Sequence, residues 1–309
     1  MRSVKIAVVA QSYRDFPSFG AKLEEAAQWL AQAGADGADL VVFPEYMNCY
    51  RGDGPGNPLA LTLEEAALGD WKVETEILFD AAARHGVDFV LPLIIRGKEF
   101  FRNCLFVIGS NGDVLGSYDK MQPTQWELDK GILPGENQQL IPWRGLQLGG
   151  AICFDTNFDE VFRSQSRLGA DMFVVPSLWQ GGSFLGAYAT QFVAPIALAY
   201  PAWSKIIDVD GITLAEGGYR SETLRFGFGH PVFTASINFN RIVLHADGNA
   251  DKIPELQKKY GWRLQIRFYE EDSRFIVTSH DETLDVQDVA REFDLVKVRN
   301  YLSAHKMWR

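Results

Sequence analysis

Cysteine is scarce in this chain of 309 residues, with only Cys49, Cys104 and Cys153. Three is an odd count, no two stand in a CxxC spacing, and no paired histidines accompany them. That excludes a disulfide framework and a thiolate zinc site, and it points to a reducing, cytoplasmic setting. Basic charge is also short. Thirty Lys and Arg against 40 Asp and Glu leave a formal charge of −10. Such a surface repels a phosphate backbone, so a nucleic-acid partner is not expected, and a highly anionic substrate is unnatural. Long apolar runs are missing as well: VAPIALAYPAW is too short for a bilayer and carries two prolines. MRSVKIAVVAQ has a strand pattern in place of charged and apolar signal-peptide regions, so no secretory leader is expected. What is present, 47% hydrophobic and 23% charged residues, is the composition of a globular protein with one large α/β domain or two smaller ones.

Short apolar strands alternate with amphipathic helices from the start. VKIAVVA reads as a buried strand, and GAKLEEAAQWLAQAGADGA as a helix with Leu23, Ala26, Ala27 and Leu30 on one face. DLVVFPE is the next strand. A helix interrupted near Gly69 follows, with Thr62 and Glu65 at capping-box spacing, and then the strand VDFVLPLII. NCLFVIGSNGDVLGSYDK reads as a hairpin around an Asn-Gly turn, and QQLIPW with LQLGGAIC as a second one around Arg144-Gly145. Beyond Cys153 the pattern predicts a helix over 158–168, the strand DMFVVP, a helix around GAYATQFVAPIALAY, and the strands SKIIDVDG, ITLAEGG and VFTASINFN. Mixed βαβ and hairpin units imply sheets with helices on their outer faces. After Asp251 the character changes, and Val286, Val289, Phe293 and Val296 recur at helical spacing as a face for ordinary packing or a subunit contact.

Three polar residues share one context. Glu45 follows LVVFP, Lys120 follows VLGSYD, and Cys153 follows LGGAI, each at or just past the carboxyl end of a predicted strand. Strands of open α/β sheets deliver ligand-binding residues there. Taken singly, each has a plain explanation: a solvated loop glutamate, a surface lysine, a buried cysteine acting as a small hydrophobe. Taken together they supply what attack on an acyl carbon needs. A free thiol is little ionised near neutrality; Glu45 can take its proton, and Lys120 can favour the thiolate and a developing oxyanion. None of His85, His230, His245, His280 and His305 stands in such a context, so each reads as surface or structural.

VVFPEY, YDKMQPTQWE and GGAICFDTNFDE resemble, in order and spacing, the Glu, Lys and Cys motifs of the nitrilase superfamily, the carbon–nitrogen hydrolases. RNCLFVIGSNGDVLGSYDK, LGADMFVVPSLW, SKIIDVDGITLAEGG and FTASINFNRI are similar to further family segments, so the likeness spans residues 3–249. The resemblance implies an α/β fold, a four-layer α-β-β-α sandwich over residues 1–250 with a C-terminal extension over 251–309, and pairing into a homodimer or larger assembly. It also implies Glu45 as general base, Lys120 as oxyanion-stabilising cation, Cys153 as nucleophile and Glu127 as a fourth catalytic carboxylate. Glu136 competes with Glu127 but reads as a loop residue. The Phe154 backbone N–H would complete the oxyanion hole, and Asn103 would fix a loop or do nothing beyond its turn. No metal or organic cofactor is implied.

The flanks bear on the substrate. CFD is of the kind found in amidases and carbamoylases, whereas family nitrilases usually carry Trp-Glu-Asn after the cysteine. Asn157 stands where many relatives place an arginine and Asp159 where many place a proline, which removes a bidentate carboxylate clamp. Arg163 reads as a surface ion-pair partner. Gln191, Val193 and Pro195 replace charged residues that brace the site in many relatives. Tyr46, Trp126, Phe154, Asn157 and Trp179 flank the motifs as candidate pocket residues, although each aromatic serves equally well to pack a sheet edge. The expected activity is hydrolysis of a neutral, largely hydrophobic amide through a thioester. Nitrile hydrolysis is the nearest alternative, followed by N-carbamoyl hydrolysis, acyl transfer to an amine, and a silent binding protein. The small-molecule amide or nitrile is the expected partner, with no membrane involved.

Overall fold

The computed structural model describes residues 3–11, 15–51, 62–98, 100–218 and 231–305, so His230 lies outside the described residues. In chain order, β1 (Ser3–Val9), β2 (Leu40–Val42), β3 (Asp88–Arg96), β4 (Phe101–Ile108) and β5 (Val114–Asp119) build the first sheet. The second is built from β6 (Ile141–Trp143), β7 (Leu146–Gly150), β8 (Met172–Pro176), β9 (Ile196–Ala199), β10 (Ser204–Ile207) and β11 (Thr213–Gly217). A further strand, β12 (Val232–Asn238), returns to the first sheet, whose order is β12-β1-β2-β3-β4-β5; the second runs β11-β10-β9-β8-β7-β6. Each sheet has a parallel centre, β1-β2-β3 in one and β7-β8-β9 in the other, extended by antiparallel hairpins.

The sheets stack face to face because their inner positions are apolar and, at key points, small. A Cβ at Gly150 would meet the Tyr118 ring at 2.7 Å and one at Gly116 would meet Ile141 at 3.0 Å, so glycine lets the layers close. Polar pins add register: Trp143 Nε1 donates to Asp88 Oδ2 at 2.8 Å, and Ser204 Oγ to the Val9 carbonyl at 3.0 Å. Helices Phe19–Ala35 and Glu76–His85 cover the outside of the first sheet, with Leu23, Ala26, Leu30, Leu78 and Ala82 against Val9, Val41, Phe89 and Leu91. Outside the second sheet lie Asp159–Leu168 and Phe184–Phe192, where Phe162 packs on Phe173 at 4.9 Å and on Tyr188 at 4.7 Å. Each fully buried side chain of this kind stabilises the fold by about 1.5–3 kcal/mol. The layers are α-β-β-α, and among the described residues no helix is long and apolar enough to cross a membrane.

Local signals explain the connections. Arg144 and Gly145 both take positive φ, 47° and 81°, as a two-residue hairpin requires. At Asn111-Gly112 only Gly112 does, at 85°, and the Asn111 side chain accepts from Asp113 N at 3.1 Å instead, giving a longer loop. Thr62 and Glu65 form their capping box, and the helix breaks after Ala66 before resuming as Trp71–Glu74 and Glu76–His85. The helix expected around GAYATQFVAPIALAY is shorter than that and needs correcting. It stops at Phe192, Val193 turns left-handed at φ 52°, and Ile196–Ala199 is the parallel strand β9. Pro195 cannot donate a helical hydrogen bond, and a central place in the sheet suits the apolar run that follows.

By its contacts the chain forms two compact units, one of residues 5–235 and one combining 3–4 with 236–305. In the second, β13 (Arg241–His245), β14 (Leu264–Tyr269) and β15 (Arg274–Ser279) form an antiparallel sheet in the order β13-β15-β14. β13, grouped by sequence with the larger domain, thus pairs with the extension. Its core joins Ile242, Leu244, Leu256, Phe275, Val277, Val286 and Val289, with Phe293 partly buried beside them. The face read from Val286 and Val289 is ordinary packing in that unit; the helix ends at Glu292, before Val296.

Candidate active site

Glu45 sits three residues past β2, Lys120 directly after β5, and Cys153 three residues past β7. Lys120 Nζ donates to Glu45 Oε1 at 2.9 Å and to both oxygens of Glu127, at 3.0 and 2.8 Å. All three side chains are at most 2% exposed, so these are buried ion pairs rather than surface ones. Asn103, in the middle of β4, donates from its single Nδ2 to Glu45 Oε1 at 2.8 Å and Glu127 Oε1 at 2.9 Å. It neither fixes a loop nor idles at a turn: it bridges the two carboxylates. The Leu178 backbone N–H, past the end of β8, reaches Glu45 Oε2 at 3.0 Å.

Glu127 owes its place to its helix. It is the third residue of Gln125–Asp129, in a capping box with Thr124, whose N–H it accepts at 2.7 Å. The phenol of Tyr46 donates to its Oε1 at 2.5 Å. Tyr46 is therefore buried bracing a carboxylate, with its backbone at φ 61°. Glu136 lies apart from this cluster, largely exposed, in an ion pair with Arg102.

Cys153 opens a 3-10 turn, Cys153–Asn157, with φ 47°, a left-handed value uncommon outside glycine. Asp155 holds that elbow: buried, it accepts from Ile152 N at 2.9 Å, Tyr118 OH at 2.8 Å and Gln122 N at 2.7 Å. Thr156 Oγ1 donates to the Cys153 carbonyl at 2.7 Å. Unlike Cys49 and Cys104, which are buried, Cys153 is partly open. The Ser177 hydroxyl and the Leu178 N–H face its sulfur, and the charges of Glu45 and Lys120 act on it. The half-buried Tyr200, just past β9, is also near enough to feel that sulfur.

The electrostatics follow from burial and neighbours. Burial pushes the Cys153 thiol up to about 12, helped by Glu45; Lys120 and the Leu178 and Ser177 donors oppose this. Burial also raises Glu45, more than Lys120 lowers it, and the Glu127 charge adds to the rise. Glu127 goes the other way. Burial favours its neutral form, but Lys120, Tyr46 and the Thr124 N–H outweigh that and hold it below the usual carboxylate range. Lys120 is raised despite burial, because Glu45, Cys153 and Glu127 all favour its charge. A thiol beside a carboxyl that burial makes more basic, a carboxylate held as an anion and a buried ammonium is a set of groups equipped for acyl transfer. Among the described residues, no group of three or more His, Cys, Asp or Glu is arranged to hold a metal ion.

The remaining flanking residues differ in placement. Phe154 is half-buried, its ring edge-on to Phe158 at 5.4 Å, and its amide directly follows Cys153. Trp126 and Trp179 are partly exposed, on the helix that carries Glu127 and on the loop after β8. Asn157 is exposed and donates to the Phe154 carbonyl at 3.1 Å, closing the 3-10 turn. Arg163 pairs with Asp159 one turn away, and Gln191 is exposed. Sequence reasoning missed the bridging role of Asn103, the bracing phenol of Tyr46, and Ser177, Leu178 and Tyr200 around the sulfur. A polar Asn inside the apolar strand FRNCLFVI was the available signal.

The model of the carbon–nitrogen hydrolase family matches residues 5–244. The chain belongs to that family. It is 27% identical over 207 residues to the 2-oxoglutaramate amidase of Bacillus subtilis, covering 61% of this chain and 77% of the relative. It is 26% identical over 266 residues to a bifunctional nitrilase/nitrile hydratase of Lupinus angustifolius, covering 71% and 76%. The crystal structure of an amidase from Nesterenkonia sp. superposes with a TM-score of 0.63 at 22% identity, covering 83% of this chain and 96% of that one, which shows a shared fold. As a carbon–nitrogen hydrolase with amidases among its relatives, the protein is an amide-hydrolysing enzyme.

Proposed function

We propose that the protein hydrolyses a neutral, largely hydrophobic amide through a thioester on Cys153. The observation that carries this is one buried lysine held at 2.8–2.9 Å between two buried carboxylates, Glu45 and Glu127, with Glu45 and Lys120 both near enough to act on the half-buried Cys153. Glu45 accepts the Cys153 proton as the sulfur attacks the amide carbonyl, and the C–S bond forms. Lys120 and the Phe154 N–H bear the oxyanion. The C–N bond then breaks, and the amine leaves with the proton held by Glu45. Water gives a proton to Glu45 and attacks the thioester; the acid departs and the proton returns to sulfur. Glu127 remains an anion throughout and keeps Lys120 charged and aimed.

The choice of a neutral acyl group rests on the absence of a free cation at the flanking positions: Asn157 is turned to the Phe154 carbonyl and Arg163 is paired with Asp159. Trp126, Trp179 and Phe154 offer apolar surface near the motifs. The test is ammonia release from a panel of matched amides and nitriles, with intact mass of the trapped protein. Acyl adducts on the wild type and none on Cys153→Ala, with amides outpacing nitriles, are expected. Turnover by Cys153→Ala, or nitriles as the faster substrates, overturns the reading.

A further inference from the structure

Lys22 is a buried charge that the proposed chemistry does not use. It projects from helix Phe19–Ala35, only 9% exposed, and Nζ donates to the Tyr46 carbonyl at 3.1 Å and the Cys49 carbonyl at 2.6 Å. Among the described residues no carboxylate forms an ion pair with it. Burying an ammonium against carbonyls alone is costly, so its two acceptors are the thing to explain. They belong to the turn that follows Glu45, closed by Cys49 N donating to the Tyr46 carbonyl at 2.9 Å. Inside that turn Tyr46 holds its left-handed φ while its phenol reaches Glu127. Neighbouring parts of the turn are tied independently, Met47 N to the Pro92 carbonyl and Asn48 to the Ile94 backbone. The strained residue that touches both glutamate positions is the one Lys22 holds.

We infer that Lys22 is a positioning residue, whose ammonium clamps the Tyr46–Cys49 turn and thereby sets Glu45 and Glu127 in register with Lys120. The inference rests on the amide-hydrolase reading for its kinetic consequence, but not for its effect on the sulfur. A charged donor to a carbonyl is roughly twice as strong as a neutral one, so the clamp weakens when Lys22 loses its proton. Burial lowers Lys22 to about 8, against the raising influence of Cys49 and Glu25, the titratable groups that face it from the turn and from its own helix.

The experiment compares wild type, Lys22→Met and Lys22→Arg by two readouts across pH 6–10. One is kcat and KM on the best amide; the other is the rate of Cys153 alkylation by iodoacetamide, followed by intact mass, which needs no substrate. Lys22→Met is expected to lose tenfold or more in kcat with KM within twofold. Wild type is expected to show an inflection near pH 8 in both profiles that Lys22→Met lacks, and Lys22→Arg should recover most of kcat. A Met variant with wild-type kcat, or with the same inflection, overturns the inference, as does an Arg variant no better than Met. If no amide or nitrile is turned over but the alkylation inflection still disappears in Lys22→Met, the function reading fails and the clamp stands.

Discussion

Lys120→Met removes one charge from the centre of the site and nearly preserves the volume of the stem. In the wild type this ammonium separates two buried carboxylates, with contacts of 2.8–3.0 Å to both. After substitution Glu45 and Glu127 share only the Asn103 amide between them. Breaking a buried ion pair by deleting one partner costs about 3–5 kcal/mol. A 309-residue chain unfolds with roughly 2.1 cal/mol/K per residue, so each kcal/mol moves the midpoint by about 1.5 °C. The midpoint should therefore fall by about 5–8 °C near pH 8, as read by calorimetry. The deficit also has a pH sign. Without the cation, burial and the neighbouring carboxylate should push both folded carboxyls up, and a group so raised gives stability that is present at low pH and lost as pH rises. The gap to wild type should be smaller at low pH than near pH 8, because a proton on one carboxyl removes the repulsion between them. Turnover should drop at least 10²–10³-fold, on the order of one lost oxyanion donor. Midpoints that differ from wild type by the same amount at both pH values would refute the electrostatic account.

Two further substitutions test the supports. Asn103→Leu fills similar space but removes the donor common to Glu45 and Glu127. Hydrogen bonds to charged groups contribute about 1.5–3 kcal/mol, so kcat should fall roughly ten- to hundredfold with little change in KM, and an unchanged kcat counts against the bridge. Asp155 is raised by burial from 3.8 to about 6, so the stability it contributes is complete below about pH 4 and lost as pH rises through about 6. Asp155→Ala should lose that slope in a denaturant series while alkylation of Cys153 slows; retention of the slope assigns it to another group.

Much of this was legible in the sequence because the relevant residues stand where strand patterns end. LVVFP, VLGSYD and LGGAI each read as strand ends followed by a polar or thiol residue, and β2, β5 and β7 do end there, at or within three residues of Glu45, Lys120 and Cys153. Glu127 was expected from the likeness to the family's lysine motif, not from the capping box with Thr124 that holds it in place. What escaped was set by partners remote in sequence. Asn103 reads as a turn residue until β4 pairs between β3 and β5, which brings its amide to residues 58 and 24 positions away. Tyr46 looked like a pocket wall because nothing local reports that its phenol ends on Glu127, 81 positions on. The stretch Ile196–Ala199 was absorbed into a helix for a related reason. Four apolar residues carry no period of their own, and only pairing with β8 and β10 makes them a strand.

The tuning of the two glutamates follows from how they are held. Both are buried and both touch Lys120, so a cation alone does not distinguish them. Glu127 also receives the Tyr46 phenol and the Thr124 N–H, which together favour its anion over the cost of burial. Glu45 has the Lys120, Asn103 and Leu178 donors but lies where burial and the charge of Glu127 prevail, and it ends up raised. Burial and the charge of Glu127 thus favour the protonated form at Glu45, the carboxyl that also acts on the Cys153 sulfur. On the proposed mechanism that is the required bias: the proton taken from sulfur must rest where the leaving amine can collect it. Were Glu127 the more basic, it would take the proton, weaken its hold on Lys120, and leave the oxyanion without its cation at the moment of need.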